Sequence, residues 1–164
     1  MNSINNTQNN NVNFTARMDL KGFKNNAKRL QNIAEMFEAK TNKHPNDTFE
    51  ITNFPGEGIQ IYHTDKGVEH EHCADITTDQ WNRLLDNTDE FITKKLVKLF
   101  NIFKKHDNEY NKAGKYIVSV IKKDKNNDPT NFEQKFWDIV VAKAHKDMEI
   151  AVNKDSVLRE FNIY

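Results

Sequence analysis

Residues 88–123, TDEFITKKLVKLFNIFKKHDNEYNKAGKYIVSVIKK, decide the fold. Within them Ile92, Leu96, Leu99, Phe103, His106, Tyr110, Ala113, Ile117 and Val120 follow one another by steps of four and three. Residues so spaced lie on one side of an α-helix. The run 116–121, YIVSVI, has the β-branched and aromatic composition of a strand. The unbroken phase through Ala113 and Ile117 outweighs that propensity, because Gly114 inside a helix costs only about 1 kcal/mol. The stretch therefore predicts one helix from about Thr88 to Lys123, with Gly114 as the place for a kink. At 1.5 Å per residue it would extend roughly 50 Å, more than the width of a compact domain of this size. Part of its apolar face is then expected to seek a partner.

Upstream of this helix the period changes. Val12, Phe14, Ala16, Met18 and Leu20 alternate with polar residues, as a half-buried strand does. After Gly22, the positions Phe23, Ala27, Leu30, Ala34 and Phe37 return to helical spacing, with an end expected near Lys40. Phe49 and Ile51 begin a second strand, and residues 53–58, NFPGEG, form a turn-rich break. Ile59, Ile61 and Tyr62 start a third strand. Asp65-Lys66-Gly67 suits a three-residue hairpin loop with Gly67 at positive φ, which would pair Thr64 with Val68 and His63 with Glu69. Val68 to Ala74 would return as a fourth strand. Thr77 or Thr78 is placed to cap a short helix carrying Trp81, Leu84 and Leu85.

Downstream, Asp124 to Pro129 reads as a loop. Thr130 or Asn131 would cap a last major helix with Phe132, Phe136, Trp137, Val140, Val141, Ala144 and Met148. Asp155 or Ser156 is placed to cap a terminal turn with Val157, Leu158 and Phe161. Strands gather in the first half and helices in the second. The fold class is α+β: a small, mostly antiparallel sheet of about three to four strands, packed with helices. Residues 1–11, MNSINNTQNNN, have almost nothing to bury and are expected to be a disordered tail, leaving residues 12–164 as a single domain.

Composition narrows the function classes. The chain has 164 residues, 24 basic and 24 acidic side chains, and a mean hydropathy of −0.86. One cysteine, Cys73, excludes an internal disulfide. No run approaches the ~18 apolar residues of a membrane span. The first residues lack the basic and apolar regions of a secretory signal, so a cytoplasmic protein is expected. Charge is uneven. Residues 65–90 hold eight carboxylates against Lys66 and Arg83, and residues 94–125 hold ten lysines against three carboxylates. Two such segments could pair within one molecule or between two, though each also reads as an ordinary solvated face.

Catalytic signatures are sparse. None of Ser3, Ser119 and Ser156 lies in a Gly-x-Ser-x-Gly elbow, and no phosphate-binding glycine loop occurs. The one cluster with ligand chemistry is His63, Glu69, His70, Glu71, His72 and Cys73. In a strand His70 and His72 point to one face, a workable spacing for two imidazoles on a zinc-type ion. A third ligand would have to come from elsewhere, such as Asp75, His44 or a second chain. The bland reading is a solvated polar strand with a small buried cysteine. Lys98, Lys105 and Lys112 form a row every seven residues that could meet phosphates. A neutral chain with only Arg83 between residues 30 and 158 argues against nucleic acid as a partner. The expected function is a non-catalytic protein-interaction or self-association module using the long helix. Phe100, Phe103, His106 and Tyr110 are the candidate contacts, since aromatics anchor many interfaces. The alternative is a zinc-type metal-binding protein or metal-dependent enzyme using His70 and His72.

Overall fold

The first helix ends in a loop that carries the chain back beside its first strand, and this sets the sheet's mixed character. In the computed structural model, which describes residues 16–65, 71–123 and 134–164, β1 (Arg17–Lys21) is followed by α1 (Ala27–Lys40) and β2 (Thr48–Phe54). The crossover through α1 makes β1 and β2 parallel, with Met18 opposite Phe49 and Leu20 opposite Ile51. β3 (Gly58–Thr64) and β4 (Glu71–Ile76) then return antiparallel. A two-residue β5 (Asn162–Ile163) adds to β4, completing a five-stranded sheet in the order β1-β2-β3-β4-β5.

The fold is α+β, and three of the four strand pairings are antiparallel. The sheet has one strand more than the sequence announced. β5 is too short for a period-two pattern to show. The part of the first strand before residue 16, the tail over residues 1–11 and the loop around Asp124–Pro129 lie outside the described residues.

Two local details depart from expectation. α1 starts at Ala27 rather than at Phe23, because Asn26 takes a left-handed φ of 61° just before it. Phe23 instead packs on Trp81, ring centroids 5.4 Å apart. The register of β3 against β4 also differs from the one expected, and the predicted turn at Gly67 lies outside the described residues. His63 pairs with Glu71, not Glu69, and Tyr62 pairs with His72. Ile61 then faces Ala74, so Cys73 is the extra residue of a β-bulge. The bulge restores the phase that puts Ala74 and Ile76 on the buried face with Ile59 and Ile61.

The helices cover the sheet face that carries Phe49, Ile51, Ile59 and Ile61. α2 (Thr78–Leu85) is capped by Thr77 in a reciprocal box with Gln80, and buries Trp81, Leu84 and Leu85. α3 (Asp89–Lys123) is one helix of 35 residues, as its phase required, and Thr88 Oγ1 accepts from the Phe91 amide at its start. Its proximal half buries Ile92, Leu96, Leu99, Phe100 and Phe103. Phe37 of α1 stacks on Phe49 at 5.1 Å and meets the edge of Phe100 at 5.5 Å, locking α1, β2 and α3 together. Arg29 clamps the α2–α3 junction to α1. Its Nε donates to Asp89 Oδ1 at 2.7 Å and its other nitrogens donate to the Leu85 and Asn87 carbonyls.

The last helical segment is not uniform. A π-helical turn over Trp137–Val141 precedes α4 (Ala142–Asn153). Such a turn inserts a residue and rotates the helix beyond it, so the apolar stripe read straight through from Phe136 to Met148 does not lie on one line. Asp155 closes the segment. It accepts the amides of Val157 and Leu158 and pairs with Lys95 and Lys98 at 2.7 and 2.8 Å. Gly22 shows a strict steric need: its φ is +75°, and a Cβ there would lie 2.3 Å from the Asn53 carbonyl oxygen.

Candidate functional site

The polar centre of the molecule grows out of the apolar stripe of α3. Phe100 and Phe103 sit on the side of the helix that faces the sheet, and one turn further on the same side presents Lys104 and Asp107. These charges cannot be left unpaired so close to the core. His63 of β3 supplies the partner: its Nδ1 lies 2.7 Å from Asp107 Oδ2, and its Nε2 lies 3.3 Å from Asp47 Oδ2. Lys104 Nζ binds the same Asp47 oxygen at 2.7 Å and Asp65 at 2.8 Å. The His63 ring rests edge-on against Phe100, centroids 5.3 Å apart.

The electrostatics arise from this packing. Burial works against a charge on His63, but hydrogen bonds to Asp107 and Asp47 outweigh it and push its pKa up to about 9. His63 is therefore an imidazolium at neutral pH. Burial likewise opposes the Asp107 carboxylate, yet the imidazoles of His106 and His63 hold its pKa down to about 2. Of the two, His63 is the firmer support, because His106 Nδ1 stands 3.8 Å from Asp107 Oδ1, beyond hydrogen-bond reach. Asp47 is held below the usual carboxylate range against its own burial by His63 and Lys104. The same two aspartates, Asp47 and Asp65, raise Lys104 despite its burial. A charge-satisfied network of this kind fixes geometry.

Beside the network opens a cleft of about 530 Å³. One wall is the α1–β2 loop, with Lys43, His44 and Asn46, and the other is α3, with Asn108, Lys112 and Lys115. Asp47, Asp65 and Lys104 also line it. His44 leans on Phe100 at 5.3 Å, and burial lowers its pKa below the ordinary histidine value, with Asp47 offsetting part of the effect.

The sequence-derived candidates are spread over different environments. Phe100 and Phe103 are core residues and give no free surface. His106 is half-buried, and its Nε2 has no hydrogen-bond partner among the described residues. It lines a small pocket of about 50 Å³ with Ile102 and Met148, near His145 at 6.1 Å. Tyr110 is 37% exposed and meets Phe136 edge-on at 5.0 Å. From Lys105 onward, α3 and the C-terminal helical segment run side by side as a two-helix arm. The structure brings His106 and Tyr110 together on this arm, rings 6.4 Å apart, and leaves Phe100 and Phe103 inside.

The described residues do not gather the metal-type cluster at one point. His63 is committed to Asp47 and Asp107, and Cys73 sits half-buried in the bulge. Glu69 and His70 lie outside the described residues, as does the expected Gly67 turn; His72 is in β4 opposite Tyr62. Among the described residues no three His, Cys, Asp or Glu side chains are grouped to hold a metal ion. The lysine row is divided too: Lys98 pairs with Asp155, Lys105 pairs with Asp147 at 3.2 Å, and Lys112 lines the cleft.

Asp47, Asp65, Lys104 and Asp107 were not singled out from the sequence. Their signal was present in part: Lys104 and Asp107 continue the Phe100/Phe103 side of α3, where charge needs a buried partner. Among the described residues no helix is long and apolar enough to cross a membrane. Comparison with protein-family models, with curated proteins and with solved structures found no match.

Proposed function

We propose that the protein is a non-catalytic self-association module whose contact surface is the arm formed by α3 from Lys105 onward and the C-terminal helical segment. One observation carries this reading. Of the four large apolar or aromatic side chains exposed among the described residues, three lie on this arm: Tyr110 at 37%, Ile139 at 68% and Ile150 at 43%. α3 packs on α1, and the last helical segment runs along it from Asp155 beside Lys98, through Asp147 beside Lys105, to Phe136 beside Tyr110. Exposed apolar side chains gathered in one region of a surface are a mark of a contact site. Two copies of a helical pair can bury such residues against each other around a two-fold axis, as in a four-helix bundle.

Sedimentation velocity of the full chain tests the reading. The expected result is a dimer at micromolar concentration that Ile139→Lys and Ile150→Lys convert to a folded monomer. A wild-type chain that stays monomeric up to about 0.5 mM, a dissociation free energy weaker than roughly 5 kcal/mol, defeats it.

A further inference from the structure

We propose that the cleft between the α1–β2 loop and α3 is a binding site for a small phosphate-bearing molecule. The inference does not depend on self-association through the arm. It starts from the helix. Lys104, Asn108, Asn111 and Lys115 follow one another by steps of four, three and four, and all line the cleft together with Lys112. α3 thus gives the cleft a stripe of ammonium and amide groups. An exposed polar stripe usually only solvates a helix. Here a second wall faces it, built from Lys43, His44 and Asn46, and the floor is the buried ammonium of Lys104.

The charges in the cleft are asymmetric in a way that suits an anion. Its two carboxylates are already engaged, Asp47 by Lys104 and His63 and Asp65 by Lys104. Lys43 on one wall, and Lys112 and Lys115 on the other, have no carboxylate within ion-pair distance among the described residues. Counting the network behind the floor, five cations (Lys43, Lys104, Lys112, Lys115 and His63) stand against three anions (Asp47, Asp65 and Asp107). Cations on opposite walls of a concave site focus their field on the space between them. No arginine lines the cleft, so its recognition rests on point charges, not on the flat bidentate fork that selects carboxylates. A phosphomonoester dianion fits point charges on two sides, while Asn46, Asn108 and Asn111 offer amide donors and acceptors for hydroxyl groups next to the phosphate. The volume of about 530 Å³ falls in the usual range for small-ligand sites.

Isothermal titration calorimetry of the full chain at low salt, with AMP, adenosine, inorganic phosphate and pyrophosphate as probes, tests the site. The expected result is saturable binding of AMP or pyrophosphate at one per chain, with adenosine weaker than AMP by about tenfold or more. Lys43→Ala and Lys112→Ala should each weaken the phosphate probe by about five- to tenfold. Lys94→Ala, an exposed lysine near the start of α3, should leave it unchanged. Both cleft lysines are exposed, so their loss should not unfold the chain, and a thermal melt of each variant checks this. Three outcomes overturn the proposal: no phosphate probe binding below about 5 mM, AMP binding no better than adenosine, or binding indifferent to Lys43 and Lys112. So does a single-stranded oligonucleotide of about twenty nucleotides binding over a thousandfold more tightly than AMP, which would make the cleft part of a nucleic-acid track.

Discussion

His63 of β3 and Asp107 at the middle of α3 meet at 2.7 Å, and this contact ties the third strand to the point where the long helix leaves the core. Each residue holds the other in its charged form. The pair therefore makes stability depend on pH from both ends.

The alkaline limb belongs to His63. Its folded pKa of about 9 exceeds the ordinary unfolded value of about 6.5, so its contribution is complete below pH ~6.5 and disappears as pH rises through 9. The expected loss is on the order of 3 kcal/mol between those limits. The acid limb belongs to Asp107, whose contribution is present above pH ~4 and is lost as pH falls through about 2. The two limbs report one contact and do not add. Urea unfolding from pH 2 to 10 should show both, and His63→Gln should flatten the alkaline one. A wild-type curve level from pH 6.5 to 9 would exclude the charged pair.

Asp47 answers to two cations at once, His63 and Lys104. Asp47→Ala should therefore destabilise the fold by about 3–5 kcal/mol, the penalty of stranding buried charge. Asp19→Ala, which removes a partly exposed surface pair with Arg17, should change stability by less than about 1 kcal/mol. Equal effects in denaturant titrations would mean that the network contributes nothing beyond surface charge.

Phe100 and Ile139 should separate folding from association. Phe100→Ala opens a cavity against Phe37, Phe49 and His63 and should cost about 3–5 kcal/mol. Ile139→Lys changes an exposed residue and should leave the unfolding midpoint within about 0.5 kcal/mol of wild type. If both variants stay dimeric, the arm is not the contact surface.

Thr77 caps α2 through its Oγ1 to the Gln80 amide at 3.2 Å, and Gln80 returns a bond to the Thr77 amide at 2.9 Å. Thr77→Ala should cost about 1 kcal/mol, and Thr77→Ser should retain most of it. Thermal melts of the two variants compare them directly.

Much of the architecture is written in periods. The four-three phase from Ile92 to Val120 carried enough apolar positions to override the strand-like composition of residues 116–121. Phe49, Ile51, Ile59 and Ile61 marked their strands by alternation, and Thr77 and Asp155 were each one of two neighbouring candidates for a cap. The features that stayed hidden depend on contacts between distant segments. The register of β3 against β4 turns on the bulge at Cys73, which no local residue preference announces. The rotation at Trp137–Val141 requires a π-helical turn inside a sequence that reads smoothly as α-helix. The polar centre was obscure for the same reason: His63, Asp47 and Asp107 come from three elements, and only the folded sheet brings them together. Phe100 and Phe103 illustrate the converse ambiguity, since an aromatic on an amphipathic helix has the same sequence signature in a core as in an interface.

The strand order also fixes an order in time. Ile51 faces Ile61 and Ile61 faces Ala74, pairings between near neighbours in the chain, whereas Met18 must find Phe49 across a helix and Ala74 must find Ile163 across most of the chain. Closing a longer loop costs more entropy, so the central meander should form first and the sheet should grow outward to both edges. Pulsed hydrogen exchange during refolding should protect the amides of Ile59–Thr64 before the Tyr164 amide that bonds to Cys73. Until that last bond forms, β4 presents a bare row of hydrogen-bonding groups, and the chain's exposure to strand exchange with its neighbours is set by how long the wait lasts.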